Sequence, residues 1–80
     1  MILTLDKLKP GSSGIISSVG GEGAIRRRLF DLGLTPNTSV LVRKVAPLGD
    51  PIEVYLRGFE LTLRKEDASH IQVKEVSINE

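Results

Sequence analysis

Short apolar runs that alternate with polar residues and end at Gly or Pro constrain this chain more than any other feature of its sequence. β-Branched residues are abundant in these runs, with seven Ile and seven Val among the 80 residues. This composition and a period of two are typical of β-strands. The clearest alternation places Ile52, Val54 and Leu56 on one face, with Glu53 and Tyr55 on the other. We predict five strands, at residues 14–19, 39–46, 52–57, 61–64 and 71–76.

One segment has the period of a helix instead. Ile25, Leu29 and Leu32 are spaced i, i+4, i+7, which places their side chains on one helix face. Gly33 stands where a helix end needs a residue with positive φ, and Leu34 would then pack on Leu29. The sequence therefore predicts a single well-formed helix, between the first and the second strand, that stops at Gly33.

The chain has no cysteine, so neither a disulfide nor a thiolate metal site can support the fold. A chain of this length buries only about 60% of its surface on folding, so one small core must suffice. We expect one domain over residues 1–76 and a flexible C-terminal tail at 77–80. The residues predicted to be largely buried are Ile25, Leu29, Leu32, Val42, Val54, Leu61, Leu63 and Ile71.

Five short strands leave two unpaired edges unless the sheet closes on itself. The sequence therefore predicts an all-β class with one helix, as a small five-stranded SH3-like barrel whose helix is inserted between strands 1 and 2. Residues 57–60 form the tight reversal between the third and fourth strands, and residues 65–69 form one helical turn. Leu3, Leu5 and Leu8 are expected to lie across one end of the barrel.

The charges and motifs exclude several classes of function. The formal net charge is only +1, whereas binding to duplex nucleic acid favours a basic excess. The longest apolar run, residues 40–42, is too short to cross a membrane, and no signal peptide is visible. No lysine follows a glycine, which excludes the common phosphate-binding loop. We expect no enzymatic activity, no nucleic-acid partner and no membrane insertion.

Two segments carry residues that packing does not explain. On the predicted helix, Arg26, Arg27 and Phe30 fall away from the apolar stripe, so an aromatic ring accompanies two cations on the outer face. The alternative is a solvated helix face in which Arg28 pairs with Asp31.

The second segment is the loop at residues 46–51, which contains two prolines. It presents Leu48 at a turn tip between Pro47 and Asp50, where an apolar side chain either folds onto the barrel or contacts a partner.

A third segment contains groups that could bind a metal ion. His70 follows Glu66 and Asp67 by four and three residues, and a helical segment would bring these side chains together. The favoured interpretation is a solvated polar turn, because no second histidine completes a site. We therefore expect no resident cofactor, with Glu66, Asp67 and His70 as weak candidates for a divalent transition metal.

Several motifs in a fixed order resemble the family of ferrous iron transport protein A, the FeoA family. The most specific are RLxDLG at residues 28–33 and APxGDP at residues 46–51. They are accompanied by related blocks at residues 5–11, 14–16 and 57–68, so the resemblance covers nearly the whole chain.

The resemblance implies a cytoplasmic SH3-like domain without catalysis that acts with FeoB, a membrane ferrous iron transporter whose cytoplasmic part carries a GTPase. The barrel also resembles the C-terminal domain of metal-dependent repressors, although no DNA-binding domain accompanies it in this sequence. One position departs from the family pattern, because Asn37 stands where glycine is common after Thr-Pro. Asparagine also tolerates the positive φ of a type II turn, so the turn is expected to form.

Three hypotheses for function follow, of which RNA binding ranks last, because only Tyr55, Phe59 and Phe30 could serve as exposed aromatic residues beside a basic face. The first is an interaction module that docks on the cytoplasmic part of the transporter and tunes iron uptake. Its docking residues would be Arg26, Arg27, Phe30, Pro47, Leu48 and Asp50. The alternative is a transition-metal-sensing barrel domain that binds an ion through Glu66, Asp67 and His70.

Overall fold

The computed structural model describes residues 2–76, so the predicted tail at 77–80 lies outside the described residues. The strands are β1 Ile2–Thr4, β2 Ser13–Val19, β3 Ser39–Val45, β4 Ile52–Leu56, β5 Phe59–Leu63 and β6 Ile71–Val76. The helices are α1 Gly23–Asp31, between β2 and β3, and the single turn α2 Lys65–Ala68. A 3-10 turn at Leu5–Lys7 follows β1.

The sheet contains one strand more than the five predicted. Its order is β1-β6-β2-β3-β4-β5, and all neighbouring strands are antiparallel. The additional strand is β1, in which Leu3 pairs with Val73 of β6 instead of lying across the barrel end. Three residues carry too little alternation to predict a strand, and β1 forms because β6 offers it a free edge. The predicted class, mostly β with one longer helix, is otherwise confirmed.

A single apolar core lies under one face of this sheet. Of the eight residues predicted to be buried, Leu29, Val42, Val54, Leu63 and Ile71 are buried. The other three, Ile25, Leu32 and Leu61, are half-buried at the rim of the core. A domain this small has too little interior to enclose every apolar side chain that faces it. Among residues 2–76, the buried apolar residues are Leu5, Leu8, Ile16, Val19, Leu29, Leu34, Val40, Val42, Ile52, Val54, Leu56, Leu63, Ala68, Ile71 and Val73.

Helix α1 ends as its sequence predicts. The backbone N–H of Leu34 donates to the Leu29 carbonyl at 3.0 Å, and that of Gly33 donates to Phe30 at 2.9 Å. These two bonds define a Schellman motif, with Gly33 at φ +98° and Leu34 fully buried beside Leu29. This arrangement fixes the direction in which the chain leaves α1 on its way to β3.

Gly33→Ala is expected to lower the free energy of unfolding by about 1–2 kcal/mol, because the left-handed backbone conformation is less favourable by that amount for a residue with a Cβ atom. Steric contact contributes little, since a Cβ at Gly33 would meet its nearest neighbour, Arg57 Cδ, at 3.6 Å. Urea titration measures the change. The control is Gly23→Ala in α1, where a Cβ meets nothing within 4 Å and alanine favours the helix. Equal stability of the two variants would contradict the assignment of a conformational cost to Gly33.

Two turns use residues with positive φ other than glycine. Asn37, at φ +72°, forms the predicted turn in which the Thr38 N–H donates to the Thr35 carbonyl at 3.2 Å. The reversal after β4 is shorter than predicted, because Arg57 and Gly58 alone make the loop, at φ +50° and +88°. Phe59 and Glu60 already belong to β5. Two positive φ angles in a two-residue loop give the turn that matches strand twist.

The side chain of Arg57 links these two turns. Its Nη2 atom donates to the hydroxyl oxygens of Thr35 at 3.1 Å and Thr38 at 2.9 Å. Thr38 is the one buried polar residue among the described core positions, and these bonds satisfy its hydroxyl. The β4–β5 hairpin is therefore held against the loop that follows α1.

Candidate functional site

The outer face of α1 brings a cation and an aromatic ring together. The guanidinium carbon of Arg26 lies 4.9 Å from the centroid of the Phe30 ring, within the range of a cation–π contact. Arg26 Nε also donates to the Val19 carbonyl at 3.0 Å, which fixes the guanidinium over the end of β2. Phe30 is half-buried and packs against the core, so the prediction that its ring stands on the outer face is only partly right. Wheel geometry alone did not show that the ring can bend back over the core rim.

Arg27 is exposed next to this pair. It lines a shallow cleft of about 270 Å³ together with Gly23, Arg26 and Phe30. The cleft combines two cations with an aromatic edge, a lining suited to a carboxylate that arrives beside an apolar side chain.

Arg28 does not pair with Asp31, as the solvated-face interpretation proposed. Its Nη2 atom instead lies 2.7 Å from Oδ1 of Asp67, which connects α1 to α2. The Asp67 side chain is only 13% exposed, so the pair is partly shielded from water. This charge-assisted bond holds the two helices together and occupies the carboxylate that was a candidate metal ligand.

The three candidate metal ligands are placed differently from the predicted cluster. Asp67 binds Arg28, Glu66 is exposed on α2, and the His70 ring lies against Gly21 in the loop before α1. Among residues 2–76, no three His, Cys, Asp or Glu side chains lie close enough to hold one metal ion.

The loop between β3 and β4 holds Leu48 in solvent. The Gly49 N–H donates to the Ala46 carbonyl at 2.7 Å, and the Ala46 N–H donates to the Pro51 carbonyl at 3.1 Å. Two hydrogen bonds and two prolines leave this loop few conformations. Leu48 is 93% exposed at its tip, so of the two alternatives the side chain does not fold onto the barrel.

Asp50 has a structural role that the sequence did not indicate. Its Oδ1 atom accepts a hydrogen bond of 3.0 Å from the backbone N–H of Lys65, at the first residue of α2. The carboxylate thus caps a helix that begins 15 residues later in the chain and ties the loop to it. Asp50 stays exposed, so its predicted part in partner binding remains a prediction. Pro47 is exposed and lines a cleft of about 390 Å³ below the loop.

The two halves of the predicted docking surface are separate. The cleft below the loop is lined by Lys44, Val45, Ala46, Pro47, Pro51, Glu53 and Thr62, and none of these belongs to α1. Helix α2 connects the halves, since Asp67 contacts Arg28 of α1 and the Lys65 N–H contacts Asp50 of the loop. The predicted docking residues therefore lie in two separate areas, and α2 contacts the segment that carries each of them.

The fold and the motifs agree with a match to a known family. The family model of the FeoA domain matches residues 3–75, nearly the whole chain. The chain belongs to the FeoA family. The resemblance that the RLxDLG and APxGDP motifs indicated is thereby confirmed.

A curated relative joins a FeoA part to a transporter in one polypeptide. It is the Fe(2+) transport protein A/Fe(2+) transporter FeoB fusion protein of Porphyromonas gingivalis, 32% identical over 77 residues. The match covers 96% of this chain and 9% of that protein, so the chain spans about a tenth of the relative's length. This relative and the family match support a role for the FeoA-family chain in ferrous iron transport.

Solved structures of the family share the fold. The FeoA protein of Chlorobium tepidum is 44% identical with a TM-score of 0.86, over 98% of this chain and 74% of that one. FeoA of Stenotrophomonas maltophilia, solved as a zinc complex and described as a prokaryotic SH3 domain protein, is 29% identical. Its TM-score is 0.78, over 90% of this chain and 89% of that one. The predicted SH3-like fold is confirmed. No helix within residues 2–76 combines the length and apolar character needed to cross a lipid bilayer.

Proposed function

We propose that this FeoA-family chain is a cytoplasmic accessory module for ferrous iron uptake that binds the FeoB transporter and regulates it. The observation that carries the proposal is the Porphyromonas gingivalis relative, in which one chain holds both parts. Fusion keeps two parts at high effective concentration, which favours even a weak contact between them. Without fusion, the same contact depends on the affinity of the two surfaces alone.

Two areas supply that affinity in this proposal. Leu48 projects from a braced loop, and an apolar side chain held in water gains free energy when a partner covers it. A loop that is already rigid loses little conformational entropy on docking. Arg26, Arg27 and Phe30 provide the second area, with the arginine and aromatic side chains that dominate binding energy at protein interfaces.

We propose that the chain acts through its contacts with the transporter and not by catalysis. The chain lacks a lysine after a glycine, so the usual phosphate-binding loop is missing from its sequence. We infer that the chain turns over no nucleotide itself and acts by changing the conformation or contacts of the transporter.

The test uses the full-length FeoB transporter from the same source, purified in detergent, and measures binding of the labelled chain by fluorescence anisotropy. We expect saturable binding with a dissociation constant in the micromolar range or tighter. An unrelated SH3 domain of similar size is the control for adhesion to the detergent. If the chain binds the transporter no better than the control does, the proposed partnership is wrong.

A further inference from the structure

Three exposed apolar side chains lie on the outer face of the sheet, and none of them is among the candidate site residues that the sequence indicated. Ile2, Ile15 and Val76 are 58%, 41% and 39% exposed. Single exposed apolar residues are ordinary, but a cluster on one face is typical of an interaction site. The sequence gives little sign of it, because these residues lie on three different strands.

The strand register places these side chains around one cation. Lys74 of β6 is paired with Ile2 of β1 on one side and with Ile15 of β2 on the other. Directly paired residues point to the same face, about 5 Å apart. Val76 lies two residues beyond Lys74 on the same face, opposite Ser13. We call Ile2, Ile15, Lys74 and Val76 the terminal patch.

The inward residues confirm that this face points away from the core. Val73, next to Lys74, is buried and pairs with Leu3 and with the buried Ile16. Alternation along β6 therefore turns Lys74 and Val76 to the solvent. Folding does not require apolar side chains at positions 2, 15 and 76.

The ends of the described chain indicate what covers this patch. Ile2 and Val76 belong to β1 and β6, which are neighbours in the sheet. The fused relative matches 96% of this chain and is named as a fusion of transport protein A with the transporter FeoB, so its two parts share one polypeptide. Both ends of the described segment, Ile2 and Val76, belong to the terminal patch, so a connection through either end starts beside it.

We propose that the terminal patch is a second contact surface for the transporter, separate from the Leu48 loop; this inference rests on the proposed function. The matching surface on the transporter has apolar side chains around a carboxylate that pairs with Lys74. A second copy of this chain fits less well, because a two-fold contact centred on Lys74 would bring two ammonium groups together. In this arrangement the covalent fusion of the relative adds a high effective concentration to a contact that surface affinity forms.

The experiment measures the affinity of the full chain for full-length FeoB in detergent by isothermal titration calorimetry. Ile15→Lys is expected to weaken binding at least tenfold, because it places a charge in an apolar part of the contact. Lys74→Glu is expected to weaken binding about tenfold, because it reverses the charge that pairs with the transporter's carboxylate. The matched control Ile15→Val keeps an apolar side chain and is expected to bind within twofold of the original chain. Thermal melting verifies that each variant is folded, and Ile2→Lys replaces Ile15→Lys if the latter unfolds.

The outcomes separate this inference from the function on which it rests. If the original chain binds FeoB and the folded lysine variants bind equally well, the terminal patch is not a contact surface, although the proposed function stands. If the original chain does not bind at all, the proposed function fails and the inference fails with it. If light scattering shows that the original chain is a dimer and Ile15→Lys is a monomer, the patch binds a second copy and the transporter assignment is overturned.

Discussion

Leu29→Ala is expected to lower the free energy of unfolding by about 2–5 kcal/mol, the cost of removing a buried leucine and leaving a cavity. Leu29 is fully buried and contributes its carbonyl to the bond that closes α1 on Leu34. It is the one buried residue of α1, so no other side chain of this helix compensates. Stabilities of small domains lie near 5–15 kcal/mol, so this loss threatens the fold at physiological temperature. Urea denaturation followed by circular dichroism measures the loss.

Leu48→Ala provides the matched control for that measurement. The substitution removes the same atoms from a side chain that is 93% exposed, so the free energy of unfolding should change by less than about 0.5 kcal/mol. A loss below about 1 kcal/mol for Leu29→Ala would mean that α1 is not docked on the sheet as described.

Leu48→Asp is expected to weaken binding to the transporter at least tenfold, about 1.4 kcal/mol, while leaving the stability of the domain unchanged. The side chain contacts no core residue that its loss would expose, whereas a carboxylate at the loop tip cannot replace an apolar contact in an interface. Titration against full-length FeoB in detergent measures the affinity, and thermal melting measures the stability.

Leu48→Met serves as the conservative control, since it keeps an apolar side chain of similar volume and should preserve affinity. Equal binding by Leu48→Asp and the original chain would remove the loop from the docking surface. The area of Arg26, Arg27 and Phe30 and the terminal patch would then be the remaining contact areas. Phe30→Asp is a poorer test of docking than Leu48→Asp, because the Phe30 ring packs against the core and its loss also destabilises the domain.

The features predicted correctly depend on residues that are close together in the chain. Gly33 and Asn37 adopt positive φ because the local backbone demands it, and few other residue types accept that conformation. The alternation at Ile52, Val54 and Leu56 places all three side chains in the core. The FeoA family motifs consist mainly of such residues, which is why the resemblance could be found before the structure.

The errors concern contacts between distant segments. Arg28 forms its ion pair with Asp67, 39 residues away, and not with Asp31 of its own helix, because packing brings α2 against α1. The bond from the Lys65 N–H to Asp50, which caps α2, was not predicted for the same reason. Phe30 bends toward the core, and β1 exists only because β6 leaves an edge to pair with.

The sequence by itself determined the local conformations, since turns, the helix stop and strand alternation depend on dihedral preferences and on solvent contact along a few residues. The tertiary structure alone decided which charged groups pair and which apolar residues meet on the surface. Ile2, Ile15 and Val76 lie on three strands and become neighbours only through the register of β1, β6 and β2. Register depends on the packing of the whole core, so one strand read alone does not reveal what lies beside it.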